Sequence, residues 1–256
     1  MNRDFVVSVY QKQGQPPHGF SVALSEDVVP NPDFTYFVHA DLAQKHDKCA
    51  VAISHVEKWV EMKTFNDYTQ VVPMVVTDMV AWWEPKVEGP VDLSEVKNWI
   101  MALRRKGFHL GRVTFDRWNS FDIQNELKSV GIKTDTLSVG KKHYEDMAML
   151  IYEDRLIMPH IDVLLDEMLE LKIVSDKKVD HPRKKSKDLS DAVCGSIYNA
   201  ISLSRRQTNQ MIEIHDISSI RRKARDNEEP YDPLFDKEQP REKDVFEQHL
   251  ANMGMM

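Results

Sequence analysis

The chain's 256 residues, 41% hydrophobic and 29% charged, supply one packed domain of roughly 150–200 residues with appendages. They hold no run near the roughly 18 consecutive apolar residues of a membrane span, and no secretory signal in the first ten positions. The net charge of −7 is concentrated between Asp226 and Glu247, where nine acidic residues face three basic ones, so the near-neutral remainder does not exclude a nucleic-acid partner.

Residues 1–34 carry Gln15-Pro16-Pro17 and Pro30-Asn31-Pro32 on either side of a short β-like run, Phe20 to Leu24, and read as an arm or linker outside the core. The core opens with Thr35-Tyr36-Phe37-Val38-His39-Ala40-Asp41, rich in β-formers. After a polar turn, Cys49 to His55 gives a second strand. A third is expected within Gln70 to Trp83, with Pro73 marking an edge position. Short connections between the three predict an antiparallel meander.

The period then becomes helical. Asp92 to Lys106 places Val96, Trp99, Ile100 and Leu103 on one face, with Gly107 as a stop. A strand from Arg112 to Asp116 is followed by a helix capped near Asn119, with Phe121, Ile123, Leu127 and Val130 inward and Gly131 at its end. Thr136 to Val139 is a short strand, Lys141 to Tyr152 a helix, and Pro159 opens another. Ile173 to His181 predicts a strand pair around Asp176-Lys177, and the last core helix covers Lys187 to Ser204. The expected organisation is an arm (1–34), a domain (35–205) and a charged tail (206–256) that is mobile beyond about residue 225.

A meander continued by alternating helices and strands predicts an α/β fold, a mixed sheet with helices on both faces. Ligands of such sheets gather outside the carboxyl ends of the strands, where Asp41 and Asp116 both stand. Asp188 and Asp191, three residues apart near a helix start, share one face. Clustered carboxylates persist mainly where a cation neutralises them, and hard oxygen donors suit Mg²⁺ or Mn²⁺ better than zinc. Two such ions support phosphodiester hydrolysis. Each aspartate taken alone also has a plain structural reading, as a turn or cap residue, and Asp188 suits a helix start by its charge.

Among the remaining polar residues, the basic run Arg183, Lys184, Lys185, with Lys187, is either a solvated face or a phosphate contact without sequence readout. His181 is a turn residue or a contact to DNA or metal. Trp82, Trp83 and Trp99 read as core, and Trp118 as core or cleft edge. Ser120 lacks the G-x-S-x-G context of a hydrolase nucleophile. Cys49 and Cys194, each inside an apolar run, read as buried thiols of a reducing, cytoplasmic compartment.

Three segments then carry a resemblance. They are Phe37-Val38-His39-Ala40-Asp41-Leu42-Ala43 with Asp47 and Val51-Ala52-Ile53; Thr114-Phe115-Asp116-Arg117-Trp118-Asn119-Ser120 with a helix closing at Val130-Gly131; and Asp180-His181-Pro182 followed by Lys187-Asp188-Leu189-Ser190-Asp191-Ala192-Val193. Arg155 to Leu171, with Pro159 and Glu167, precedes the third. In this order, over about residues 35–205, they resemble the nuclease domain in large terminase subunits of tailed bacteriophages. The resemblance implies a ribonuclease H-like fold and a two-metal endonuclease that cuts double-stranded concatemeric DNA during genome packaging in the infected bacterial cell. Its metal ligands would be Asp41, Asp116, Asp188 and Asp191, with Asp191 the main ligand of the last pair. Its partners would be DNA, an ATPase motor domain, the small terminase subunit and the portal.

One departure is large. No G-x-x-x-x-G-K-[ST] phosphate loop occurs, since Gly140-Lys141 is preceded by Asp135 where the first glycine belongs. The expectation is an isolated nuclease domain, a fragment or a separate product, without ATP hydrolysis. Two rival readings stand beside it. One is a Holliday-junction resolvase or recombinase of the same fold, distinguished by preference for branched DNA. The other is a motor-docking module with weak nuclease activity, distinguished by deleting residues 226–256.

Overall fold

In a computed structural model, the described residues are 19–25, 28–42, 48–63, 69–85, 90–116, 120–176, 178–182 and 186–204. They lie within one compact unit, Met1–Gln207; the tail expected beyond residue 205 lies outside them. The strands are β1 (Phe20–Leu24), β2 (Tyr36–Asp41), β3 (Cys49–Lys63), β4 (Thr69–Trp83), β5 (Leu110–Phe115), β6 (Thr134–Thr136), β7 (Leu156–Ile157), β8 (Lys172–Ser175) and β9 (Lys178–Asp180). The helices are α1 (Leu93–Arg105), α2 (Phe121–Ser129), α3 (Lys141–Tyr152), α4 (Asp162–Glu170) and α5 (residues 188–204).

The main sheet runs β1-β4-β3-β2-β5-β6, with β7 added to β4. β2, β3 and β4 form the expected antiparallel meander, and β5 and β6 continue it in parallel from β2. Within the five strands β4-β3-β2-β5-β6, β3 alone runs against the others. That order and direction define a ribonuclease H-like sheet, and the parallel step from β5 to β6 is made through α2.

β2 is central, so nearly all of it is buried, and its side chains alternate between two cores. Tyr36, Val38 and Ala40 join Val51, Ile53, Val113 and Phe115 beneath Val96, Trp99, Ile100 and Leu103 of α1. Asp92 caps that helix, its carboxylate accepting the Ser94 N–H at 2.9 Å. On the other face, Phe37, Ala50, Ala52 and Val80 pack with Tyr144, Met147 and Leu150 of α3, Leu164 of α4, and Leu189, Ala192, Val193, Ile197 and Ala200 of α5.

α5 sits close to the sheet because the residues between them are small. Gly195 lies directly over the His39 ring, where an added Cβ would stand 2.3 Å from a ring carbon. Polar contacts fix its register. Ser196 and Ser54 hydroxyls meet at 2.7 Å, and the Asn199 amide donates to Thr114 Oγ1 at 2.6 Å. Thr114 also meets His39 Nδ1 at 2.7 Å, so strand, strand and helix share one buried network.

Several expectations need correction. Phe20–Leu24 is not outside the core: it pairs with Met79–Trp83, and Phe20 packs on Trp83 and Trp99 with ring centroids 5.0 and 5.3 Å apart. β3 and β4 run to 15 residues each, so beyond His55 they continue as a two-stranded ribbon. The helix expected from Pro159 begins at Asp162, with Ile161 as its N-cap. In α2 the buried stripe is Ile123, Gln124 and Leu127. Phe121 is 76% exposed because it projects away from that stripe, and Val130, past the last turn, is 41% exposed. The short strand expected at Thr136 to Val139 lies at Thr134–Thr136. Cys49 and Cys194 are buried free thiols, and among the described residues no helix is long and apolar enough to cross a membrane.

Gly195→Ala is expected to destabilise the protein by about 1–3 kcal/mol, the usual cost of overpacking a filled core. His39 is buried and hydrogen-bonded and has nowhere to retreat. Denaturant midpoints of the two proteins check this, and equal midpoints would refute the close seating of α5.

Candidate active site

Parallel pairing of β2 and β5 brings two aspartates to one place. Ala40 stands opposite Phe115, and the Asp116 N–H reaches the Ala40 carbonyl at 3.3 Å. Asp41 and Asp116 come one step later, on strands about 4.8 Å apart. Alternation turns both toward the face that carries His39, Thr114 and α5. From the segment after β6, Ser138 donates to Asp116 Oδ1 at 3.1 Å.

The other pair enters from α5. Asp188 accepts the Ser186 hydroxyl at 2.7 Å and the Lys48 N–H at 2.9 Å, both on Oδ2. That ties the helix start to the segment leading into β3. One turn on, Asp191 Oδ1 accepts the Tyr144 hydroxyl and Oδ2 the Lys187 ammonium. Glu167 of α4, buried itself, accepts the Ser190 N–H at 3.0 Å and the Ser186 hydroxyl at 3.2 Å. It thereby satisfies one of the open N–H groups of the helix start, where negative charge is favoured.

The charges of these carboxylates act on one another. Burial, then the charges of Asp191 and Asp188, push Asp41 well above the usual carboxylate range; Lys187 opposes them and Asp116 adds to the rise. Asp191 is raised by burial despite Lys187 and Tyr144. Glu167 is raised by burial, with Asp188 adding to it. Burial works against the Lys187 charge, yet Asp191 and Asp41 leave its pKa raised. Burial and Asp191 lift the Tyr144 phenol far out of its usual range, so it stays a hydrogen-bond donor. Burial brings His39 down to about 4, which leaves it neutral in its contact with Thr114.

The structure places Asp41 and Asp116 at neighbouring ends of β2 and β5, and Asp188 and Asp191 at the start of α5, close enough for the charges of the other three to act on Asp41. Lys187, grouped on sequence with the basic run, is ion-paired with Asp191. Arg183, Lys184, Lys185 and Trp118 lie outside the described residues. His181 follows β9, its Nδ1 2.8 Å from the Pro182 carbonyl and its N–H on Asp180. Trp83 and Trp99 are core, and Trp82 is partly buried. Tyr144, Ser138 and Ser186 carried no signal in the sequence, because each acts on an aspartate through a hydroxyl that many buried or turn positions also hold.

For a divalent cation the donor chemistry fits: all four side chains are hard oxygen donors whose mutual repulsion a cation would relieve. Among the described residues, however, no three His, Cys, Asp or Glu side chains stand in a ready-made ligating arrangement. The Lys187 and Tyr144 contacts turn both Asp191 oxygens toward themselves. The shallow groove lined by Arg112, Lys128, Lys133 and Asp135 contains none of the four aspartates.

No protein-family profile and no curated protein matches the chain. Among solved structures it is similar to the large terminase nuclease of the thermophilic phage G20c, at 15% identity over 71% of this chain and 89% of that one, with a TM-score of 0.49. It is similar also to the large terminase nuclease domain of Thermus phage P74-26, at 14% identity over 72% and 87%, TM-score 0.48. The large terminase of bacteriophage HK97 is more distant, at 13% identity over 77% and 48%, TM-score 0.43. These likenesses are remote, and the ribonuclease H-like assignment stands on the strand order itself.

Asp41→Asn is expected to stabilise the protein in chelator at pH 8, raising Tm by about 2–4 °C, the shift that 1 kcal/mol produces in a domain of this size. A carboxyl raised by folding costs nothing below its unfolded pKa of about 3.9. Its cost grows as pH rises through the folded value. The advantage of the asparagine should therefore shrink from pH 8 toward pH 5. Melting curves across that range check it; an advantage that grows on acidification would refute the repulsion.

Proposed function

We propose that the chain is a metal-dependent endonuclease that cuts double-stranded DNA, as in phage genome packaging. The observation that carries this is the convergence of Asp41 and Asp116, from adjacent parallel strand ends, with Asp188 and Asp191 of α5. The segments around these residues are those in which the sequence resembles terminase nucleases. An ATPase motor domain, the small terminase subunit and the portal are the partners this reading implies, in an infected bacterial cell.

Mg²⁺ or Mn²⁺ bound there would supply activation of a water and charge stabilisation at the leaving oxygen. Asp41 and Asp116, fixed by sheet register, and Asp191, anchored where α5 is already packed, would be its principal ligands. Asp188, held by Ser186 and the Lys48 backbone, is a step further toward the helix start and would serve a second ion or orient water. Ser138 steadies Asp116, and Glu167 holds the start of α5 from which Asp188 and Asp191 project. The basic run at Arg183, Lys184 and Lys185 would hold the DNA backbone, adding affinity without base readout.

The test is plasmid cleavage by the full chain with Mg²⁺ or Mn²⁺, on linear and branched DNA. Cleavage is expected with either ion, with little sequence preference, and to stop on full chelation. Asp41→Asn, Asp116→Asn and Asp191→Asn should fall to background, while Asp188→Asn retains activity, most readily in Mn²⁺. Activity that survives chelation sinks the mechanism, a strong preference for branched DNA favours a resolvase, and an active Asp191→Asn beside a dead Asp188→Asn reverses their ranking.

Replacing Arg183, Lys184 and Lys185 by alanine should weaken DNA binding on every sequence. It should also flatten the dependence of log K on log salt by about 0.9 for each phosphate that is no longer neutralised. Filter binding at several salt concentrations reads both quantities, and an unchanged slope would assign the run to a solvated face.

A further inference from the structure

Lys187 stands in an unusual place for a helix-stabilising residue. It immediately precedes α5, and its ammonium pairs with Asp191, four residues later. A cation at a helix N-terminus opposes the helix dipole, and a basic residue preceding an acidic one by four is the weaker orientation of such a pair. Helix stability alone therefore does not account for it. The pair is also not an ordinary surface contact: the two side chains are 20% and 11% exposed. The Lys187 charge acts on Asp41 as well as on Asp191. On the far side of Asp191, Tyr144 holds Oδ1 and is itself fixed by the Ser190 hydroxyl at 3.0 Å.

We propose that Lys187 is the built-in counter-ion of the aspartate cluster: its ammonium holds Asp191 Oδ2 until a divalent cation takes that oxygen over, and it competes with the cation for it. The inference rests on the metal-dependent reading of the site. Charge balance supports the exchange. Two divalent cations would match the four aspartates, so the ammonium would no longer be needed at Asp191, while Glu167 is engaged by the Ser190 N–H and the Ser186 hydroxyl. A lysine suits such a role, since its compact charge rides on a flexible four-carbon stem that swings aside without backbone movement. Tyr144 keeps Asp191 oriented throughout, so the exchange alters the partner of one oxygen and leaves the other in place.

A structural lysine and a competing counter-ion predict opposite signs for metal binding. The experiment uses the full chain, stripped with chelator, and its Lys187→Met and Lys187→Gln variants. Mn²⁺ and Mg²⁺ alone are titrated by calorimetry, and melting curves are taken in chelator and in saturating Mn²⁺. Both variants should melt lower than the wild type in chelator, because they leave a buried carboxylate unpaired. Both should nevertheless bind Mn²⁺ about ten-fold tighter, as removal of one nearby positive charge dictates, and gain more in Tm from the metal. Unchanged or weaker Mn²⁺ binding by folded variants, beside measurable binding by the wild type, overturns the counter-ion role alone. Absence of binding by all three proteins overturns the metal-dependent reading itself, and the counter-ion role with it.

Discussion

Like charges brought into one cleft repel, so whatever holds Asp41, Asp116, Asp188 and Asp191 near one another must come from the rest of the fold. Sheet register supplies part of it. Asp41 and Asp116 cannot separate without breaking the β2–β5 ladder, whose Val113–Phe115 end is buried against β2. The seating of α5 supplies the remainder. Gly195 against His39, Ser196 against Ser54 and Asn199 against Thr114 fix the helix in height, rotation and position along the sheet. Each contact lies within the packed length of the helix, whereas the aspartates stand at its start. Leu189, Ala192, Val193 and Ile197, buried along the same helix, add packing that holds the aspartates in place. Proteins commonly hold functional sites at a local cost that the surrounding structure over-determines.

The hydrogen bonds around the cluster divide the labour further. Asp188 and Glu167 are engaged by Ser186 and by backbone N–H groups of Lys48 and Ser190, contacts that define where the helix begins. Asp191 is engaged only by side chains, Tyr144 and Lys187, in the described contacts. Backbone donors are immobile once the fold has formed, while a lysine stem is not. The arrangement separates carboxylates that shape the helix terminus from one whose surroundings can change.

Much of this was legible in the sequence where the signal is local. The β2 and β5 strands, with an aspartate closing each, follow from runs of β-forming residues, and α1 follows from its apolar stripe and the Gly107 stop. Prolines misled. Those flanking Phe20–Leu24 suggested a linker, although the alternating Phe20, Val22 and Leu24 supply an apolar face that the sheet edge accepts. The ribbon beyond His55 was hidden because a two-stranded extension with water on much of its surface loses clean alternation. Tertiary partners were not legible at all: Tyr144 and Asp191 are 47 residues apart, and no local rule joins them. Lys187 was read with its basic neighbours in the chain, whereas its contact is one helical turn onward.

Pro73 has a consequence for how this molecule avoids its own copies. The outer edge of β4 is covered piecewise, by β1 along Met79–Trp83 and by β7 at Val75 and Val76. At Pro73 the strand offers no N–H, and its carbonyl is taken by the Arg155 guanidinium at 2.7 Å. Arg155 is itself bound to Glu153, which leaves a charged pair beside the end of the covered edge. A strand arriving from another molecule would find neither a donor nor a vacant acceptor at that point. An open sheet with a 15-residue strand near its margin is otherwise a template for intermolecular growth. At Pro73 the edge therefore offers no point at which such pairing could begin.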